Sequence, residues 1–232
     1  MAETTPNTSS QTNGPAVKRS VLRVLGLSVI TFGLYNLYWF YVTRKAVDEE
    51  LGAERSLKQT PGLQLFGPIG LGIVGALLSI ILIGIPILIA AAVLGVVVIY
   101  YLFKDISTVR TKAGLPGFPA VWYVLGPIIA GIVLAFVPPL GLLASLAGFV
   151  IYGIVVNKLN EYWDKKTGGT ATGAQFTGGE AGVVVAGVVL GIIQVLVLGA
   201  AILAAVGLQQ SENELEDVQQ QLEREYPEFY QE

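Results

Sequence analysis

Long uncharged stretches dominate this chain and alternate with short charged segments. The uncharged stretches run over residues 24–43, 59–103, 113–157 and 181–210. A helix needs about 20 apolar residues to cross a hydrocarbon core of roughly 30 Å. The second and third stretches would each measure about 68 Å as one helix, so we expect each of them to cross a membrane twice.

Proline and glycine indicate where the two longest stretches turn. Proline removes a backbone donor, and glycine relaxes the limits on backbone dihedrals. The predicted turn points are Gly84, Pro86, Pro138 and Pro139. Both second arms contain Val-Ile-Tyr before a segment with basic residues. The matching layout predicts two repeated helical hairpins, over residues 59–112 and 113–166.

Residues 17–58 form a shorter unit, in which Thr31-Phe32-Gly33 interrupts the uncharged stretch. One interpretation is a kinked helix that crosses the membrane once. The other is a shallow hairpin that turns at Thr31 and Gly33, provided that neighbouring helices bury its irregular backbone. The hairpin keeps every Lys and Arg before the C-terminal tail on one side, as the positive-inside rule favours. We favour the hairpin, and the kinked span remains the alternative.

Tyrosine and tryptophan residues accumulate where the uncharged stretches approach charge. Amphipathic rings favour the headgroup depth of a bilayer, so we interpret these residues as an interfacial belt. A site that stacks on a ligand is the alternative. The residues are Tyr35, Tyr38, Trp39, Tyr41, Tyr100, Tyr101, Tyr152, Tyr162 and Trp163.

The last uncharged stretch, residues 181–210, is long enough for one transmembrane helix and carries regularly spaced small residues. Gly187 and Gly191 have the spacing G-x-x-x-G, and Ala200 and Ala204 repeat it. Small residues allow helix backbones to approach closely in lipid, where no hydrophobic force drives helices together. We therefore predict a helix-packing face on this helix.

Gly70, Gly72 and Gly75 match the letters of the dinucleotide-binding pattern G-x-G-x-x-G. That fingerprint requires a preceding strand in a βαβ unit and an acidic residue about 20 positions later. The surroundings of these glycines are uncharged up to Lys104. We assign the three glycines to helix packing instead.

The remaining segments are polar. Residues 1–16 are rich in Ser, Thr, Asn and Pro, which predicts a disordered arm. Residues 167–180 have the Gly/Thr composition of a flexible linker. Residues 211–232 contain eight acidic residues and one basic residue, and their apolar positions predict an acidic amphipathic helix.

Composition restricts the chemistry that this chain can carry. The sequence is 53% hydrophobic and 13% charged, without Cys or His, whereas about 25% charged residues is typical of soluble domains. Disulfides and thiolate or imidazole sites are excluded. Ion-coupled pumps place ionisable groups within the bilayer, and the uncharged stretches offer only polar candidates such as Asn36 and Gln194. We therefore expect a non-enzymatic protein without catalytic, cofactor-binding or metal-binding residues.

Residues 27–41 read Leu-Ser-Val-Ile-Thr-Phe-Gly-Leu-Tyr-Asn-Leu-Tyr-Trp-Phe-Tyr. They resemble the signature of the DUF4234 membrane proteins of bacteria and archaea, in which an apolar run is followed by Thr-Leu/Phe-Gly-Ile-Tyr, Tyr-Trp and a basic residue. Leu159-Asn160-Glu161-Tyr162-Trp163 is similar to a Leu-Asn-x-x-Trp ending of that family. The resemblance implies an integral protein of a prokaryotic cell membrane with an unknown function, and it supplies no catalytic residues.

These patterns predict an all-α integral membrane protein, with about five to seven transmembrane or re-entrant helices in hairpins and a C-terminal amphipathic helix. The expected partners are the lipid bilayer and a membrane protein or second copy bound through residues 181–225, but no nucleic acid. The leading hypothesis for function is an assembly or partner-binding element in the membrane. The alternative is a channel or carrier for a small neutral or hydrophobic solute.

Overall fold

The computed structural model describes residues 18–79, 82–135 and 141–225. These residues form seven α-helices, one 3₁₀ turn at Gly52–Glu54 and no strand, which confirms the predicted all-α fold. The helices are α1 (Val21–Ile30), α2 (Leu34–Leu51), α3 (Pro61–Leu78), α4 (Gly84–Lys112), α5 (Ala120–Ala135), α6 (Gly141–Lys166) and α7 (Gly178–Glu225). The predicted arm at 1–16, the turn points Pro138 and Pro139 and the end of the predicted tail lie outside the described residues.

Three of the described helices are long and apolar enough to cross a membrane: Pro61–Leu78, Gly84–Lys112 and Gly178–Ser211. Their side chains expose large apolar surface, as in Leu77, which is 69% exposed, and Leu203, which is 74% exposed. Contiguous apolar surface of this extent marks a contact with lipid or protein. These helices indicate a membrane protein.

The turn between α3 and α4 lies earlier in the chain than predicted. The helix α3 ends at Leu78 and α4 begins at Gly84. Pro86 therefore lies in the first turn of α4, where its missing N–H costs no helical hydrogen bond. The two backbones come close at this turn, because a Cβ on Gly84 would lie 2.0 Å from the carbonyl oxygen of Gly75.

The first two helices form a short antiparallel hairpin. Phe32 and Gly33 have φ angles of 50° and 89° between α1 and α2, a left-handed turn that glycine adopts easily. The start of α1 and the end of α2 both reach the last turns of α6, through the ion pairs Lys18–Asp164 and Lys166–Glu50. As α1 has 10 residues, its length of about 15 Å is half of a hydrocarbon core.

The predicted last span and amphipathic tail are parts of one continuous helix, α7, with 48 residues. It begins at Gly178, inside the segment predicted as a linker. The rest of that segment is attached to the start of the chain's described part, because the N–H of Ala174 donates to the Lys18 carbonyl at 2.7 Å. The predicted linker is therefore shorter than expected and is hydrogen-bonded.

The core of the described residues lies at the charged end of the bundle, where α2, α4 and α6 end and α1, α3, α5 and α7 begin. The largest fully buried side chains include Trp163, Arg44, Arg110, Tyr35 and Leu102. The uncharged arms beyond this end expose most of their apolar side chains. Tight packing is thus concentrated around the charged segments.

Candidate functional site

Charged side chains lie inside the core at the charged end of the bundle, in three groups that each join distant helices. We name them the Arg44 cluster, the Arg110 cluster and the Glu180 cluster after the buried residue at the centre of each. Removing charges from water is costly unless they are paired and hydrogen-bonded. The partners of each buried charge therefore decide what the cluster can do.

The Arg44 cluster joins α2 to α4 and to the segment before α3. The Arg44 side chain is fully buried, with Nη1 2.7 Å from Asp105 Oδ2 and Nη2 2.9 Å from Asp48 Oδ1. Asp105 also accepts from the backbone N–H of Ser56 at 3.2 Å. Arg55 adds a second guanidinium 3.8 Å from Asp48. Two cations and two carboxylates thus balance each other, and all of them except the partly exposed Arg55 lie inside the core.

Asp48 has the fewest hydrogen bonds in the Arg44 cluster. Neither of its carboxylate oxygens accepts a well-aligned hydrogen bond from the described residues, so charge attraction to Arg44 holds the pair. Burial raises the pKa of Asp48 above its ordinary value of 3.8, against the opposing effect of Arg44 and Arg55. Desolvation therefore outweighs the nearby positive charges at this carboxyl.

The Arg110 cluster joins α4 to α6 and to the segment before α5. The guanidinium of Arg110 is buried, with Nη2 2.9 Å from Glu161 Oε2. Its Nε donates to the Pro116 carbonyl at 3.2 Å, and its Nη1 donates to the Lys158 carbonyl. One side chain therefore fixes the position of three chain segments.

The Glu180 cluster joins α1, α2 and α7. Glu180 is fully buried, and its Oε2 lies 2.6 Å from Arg23 Nη2 while its Oε1 accepts a hydrogen bond from the Tyr35 hydroxyl. Its backbone N–H donates to the Thr177 hydroxyl at 3.2 Å, just before the helix. An acid in the first turn of α7 is also stabilised by the helix dipole.

The glycines of the predicted packing face on α7 lie against the turn between α1 and α2. A Cβ on Gly187 would lie 2.3 Å from the Thr31 Cβ, and a Cβ on Gly191 would lie 2.1 Å from the Phe32 ring. No larger residue fits at either position without a displacement. Thr31 is fully buried, so α7 covers the backbone of the turn.

The other small residues have varied surroundings. A Cβ on Gly75 would lie 2.9 Å from the Leu88 nitrogen, and one on Gly72 would lie 3.8 Å from the Ala91 Cβ. Gly70 has no described atom within 4 Å of such a Cβ. Ala200 and Ala204 are exposed on α7. Two of the three glycines in the first long hairpin thus lie between α3 and α4.

The aromatic residues occupy different positions from those expected for an interfacial belt. Tyr35, Trp39, Tyr162 and Trp163 are at most 5% exposed, because the charged ends of the helices converge and enclose them. Trp39 packs edge-on against the Tyr152 ring at 4.8 Å. The interpretation as a lipid-facing belt is corrected for the four buried residues. Tyr38, Tyr41, Tyr100, Tyr101 and Tyr152 are partly or largely exposed.

The hydroxyl of the buried Tyr162 forms a hydrogen bond between two helices. It donates to Glu50 Oε2 at 2.9 Å, and Glu50 also pairs with Lys166. Burial raises the pKa of Tyr162 above its usual range, and the hydrogen bond to Glu50 raises it further. The tyrosine therefore remains protonated as a donor, and it joins the end of α6 to α2.

The polar candidates Asn36 and Gln194 lie in separate places. Asn36 accepts a hydrogen bond from the Ser28 hydroxyl across the α1–α2 turn. Gln194 is exposed on α7. Among the described residues, no group of three or more acidic side chains is placed to hold a metal ion. The clusters, in contrast, hold helices in register through paired charges.

The buried charges could be found only in part from the sequence. Glu180 is the single acidic residue between Asp164 and Glu212, and a lone acid at the start of an apolar helix is a detectable signal. The sequence places charged segments at the ends of α2, α4 and α6, but it does not indicate that their side chains are buried. Their pairing inside the core depends on contacts between segments far apart in the sequence.

A search of curated proteins and of solved structures found no match for this chain. A family model described as a domain of unknown function, DUF4234, matches residues 19–111, which extend from the start of α1 almost to the end of α4. This match confirms the resemblance seen in residues 27–41, whereas the Leu-Asn-x-x-Trp ending at 159–163 lies beyond it. Residues 19–111 are thus similar to the DUF4234 family, which is described as a domain of unknown function.

Proposed function

We propose that this chain is a multi-pass membrane protein that acts as a non-enzymatic assembly element, binding a second membrane protein along the far part of α7. One observation carries the proposal. Up to Gly191, α7 packs on the α1–α2 hairpin, and from Ile192 to Ser211 every side chain is exposed. Among the described residues, no other helix covers this far part of α7, residues 192–211.

The length of α7 supports this role. Its 48 residues measure about 72 Å, more than twice a hydrocarbon core of roughly 30 Å. Since α7 begins at the charged end, its far part crosses the rest of the bilayer and extends into solvent on the opposite side. A partner can therefore bind both within the membrane and beyond it.

The chemistry of the far part indicates the kind of partner. Ala200 and Ala204 provide a narrow face on which another helix can approach closely. Residues 212–217 then place four acids on the extension, Glu212, Glu214, Glu216 and Asp217. Two parallel copies would bring these like charges together, whereas a partner with a basic segment after its transmembrane helix would complement them.

Site-specific photo-crosslinking in native membranes tests the proposal. A photoreactive phenylalanine analogue would replace each residue from 195 to 206 in turn. We expect a single crosslinked product whose yield peaks every three to four positions, with maxima near Ala200 and Ala204, because one face of a helix repeats with that period. The same probe at Leu94 on α4, which is 45% exposed, serves as the control and should give no product.

The acidic extension supplies a second test of the same partner. Changing Glu212, Glu214 and Glu216 to Gln and Asp217 to Asn should reduce the yield several-fold, and high salt should do the same by screening. The same yield at every position from 195 to 206, or no product at any of them, would refute the proposal, since neither result fits a partner bound to one face of the helix. A crosslinked product with twice the chain mass of 24.6 kDa would identify the partner as a second copy of this chain.

The alternative of a channel or carrier has less support. Asn36 is engaged with Ser28 across a turn, and Gln194 faces outward on α7. The described residues thus do not bring the two polar candidates to one path. Flux of small neutral solutes into reconstituted vesicles, sensitive to Asn36→Leu or Gln194→Leu, would favour the alternative.

A further inference from the structure

An apolar slot opens between α4, α5 and α6, and none of the residues that line it belongs to the three ionic clusters. Its volume is about 200 Å³. The residues that define it are Val96, Phe103, Tyr123, Ile128, Gly148 and Tyr152. We refer to it as the α4–α6 slot. It is large enough to hold part of a chain-like apolar molecule and lies among apolar arms.

The slot begins next to the charged end and extends into the uncharged arms. Phe103 directly precedes Lys104, and Gly148 lies ten residues before Lys158 on α6. That separation is about 15 Å along the helix axis. The slot therefore occupies the depth at which a lipid acyl chain continues from its headgroup.

A cation lies near this slot, separated from its lining by one aromatic ring. The Lys158 ammonium is 5.7 Å from the centre of the Phe118 ring, and that ring is 4.9 Å from the ring of Tyr123, which lines the slot. Lys158 forms no ion pair with a described acid. Glu161, one turn further along α6, is already engaged with Arg110 and Asn157.

Bases outnumber acids in the part of the chain that contains Lys158. Between Lys18 and Glu180 the chain has thirteen basic and eight acidic residues. The eight acids of that range cannot neutralise all of the bases, and Lys104 likewise packs on an aromatic ring, 5.8 Å from the centre of Tyr101. An apolar slot with a lysine near it that forms no ion pair with a described acid matches a molecule that has an apolar chain and an anionic head.

We propose that the α4–α6 slot binds one anionic phospholipid, with an acyl chain inside the slot and its phosphate at Lys158. Apolar contacts in the slot provide affinity, since each buried methylene is favourable. Lys158 provides the preference for an anionic head, by attraction at the membrane surface. The proposal is independent of the partner along α7.

Two matched pairs of variants distinguish lipid binding in the slot from lipid attraction to the charged surface of the protein. Gly148→Leu fills the slot, because a Cβ at Gly148 would meet no described atom within 4 Å. Gly131→Leu on α5 is its control, since it has the same free space and lies outside the slot. Lys158→Gln removes the cation, and Lys165→Gln removes an exposed lysine from the same helix. Replacing a helical glycine favours the helix, so both leucine variants should fold.

The full chain and these variants would be reconstituted in vesicles of equal phosphatidylglycerol and phosphatidylcholine. Each protein would then be extracted in mild detergent and examined by native mass spectrometry. We expect the unmodified chain to retain one phosphatidylglycerol about five times more often than phosphatidylcholine, the preference that one basic residue supplies. Gly148→Leu should lose at least nine-tenths of the retained lipid, and Lys158→Gln should keep lipid without the preference.

The control variants should behave like the unmodified chain. Equal retention of both lipids by the unmodified chain would refute the anionic preference. Equal retention by Gly148→Leu and Gly131→Leu would refute the slot as the binding site. An equal loss of preference in Lys158→Gln and Lys165→Gln would assign the effect to the general charge of the surface and would overturn the role of Lys158.

Discussion

The Tyr35 hydroxyl donates a hydrogen bond to the buried carboxylate of Glu180, 145 residues further along the chain. Through this bond and the ion pair of Glu180 with Arg23, the first turn of α7 is attached to the α1–α2 hairpin. Two turns of α7 later, Gly187 lies on Thr31. The α1–α2 hairpin is thus covered and held in place by α7.

Loss of the Glu180 carboxylate should weaken this attachment. Glu180→Gln leaves Arg23 without its acid and should lower the free energy of unfolding by about 2 to 3 kcal/mol, less than for a fully buried pair because Arg23 is partly exposed. Thermal unfolding in detergent provides the measurement. Glu49→Gln, at an exposed position of α2, is the control. A change of similar size in the two variants would contradict the role of the pair.

Enlarging the glycines on α7 should displace the hairpin. Gly191→Ala brings a Cβ against the Phe32 ring and should destabilise the protein by about 1 to 3 kcal/mol, the range for overpacking. Phe32→Ala in the same chain should restore part of that loss, since the ring is the obstacle. Gly199→Ala, whose Cβ would meet no described atom within 4 Å, should have little effect. Absence of rescue by Phe32→Ala would argue against this contact.

The Arg44 cluster should contribute more than an exposed ion pair. Asp105→Asn leaves a fully buried guanidinium with one carboxylate instead of two, and the expected destabilisation is about 3 to 5 kcal/mol. Glu54→Gln breaks the exposed 2.5 Å pair with Lys112, for which under about 1 kcal/mol is expected. Denaturant titration of both variants would compare the two values. Similar losses of unfolding free energy in the two variants would show that burial does not increase the contribution of the Arg44 ion pairs.

Asp48 gives the stability of the protein a pH dependence of known sign. Its pKa is raised in the folded state, so its contribution is fully present below the unfolded value of 3.8 and is lost as the pH rises through the folded value. Asp48→Asn lacks this titration. The stability of Asp48→Asn relative to the unmodified chain should therefore increase as the pH rises from below 3.8 through the raised pKa of Asp48. Unfolding free energies at a series of pH values would reveal a slope of the opposite sign if this assignment is wrong.

The absence of cysteine allows the sidedness of the chain to be measured directly. Single cysteines would replace Ser10, Thr60, Thr111, Thr170 and Ser211. The hairpin arrangement predicts labelling of the first four from one side of the membrane and of position 211 from the other, because among the described helices α7 alone leaves the charged end without a following helix that returns to it. Labelling of position 10 together with 211 would instead support a single span over residues 24–43.

Much of the architecture could be predicted from particular residues. Uncharged stretches of 45 residues imply two helices each, since one helix would exceed the bilayer, and Thr31-Phe32-Gly33 marks the break between α1 and α2. The predicted position of the turn between α3 and α4 was wrong, because proline can end a helix and can also occupy the first turn of one, as Pro86 does. The small-residue spacing at Gly187 and Gly191 predicted a packing face without identifying its neighbour.

The sequence by itself thus determined the helical class, the presence of helices long enough to cross a bilayer and the break at Thr31-Phe32-Gly33, because these depend on local spacing and composition. Only the tertiary structure decided which charges are buried and paired. Arg44 and Asp105 are 61 residues apart, and local sequence patterns do not indicate such a long-range contact. The same holds for Tyr35, whose place beside Glu180 rather than in an interfacial belt follows from the packing of α1, α2 and α7.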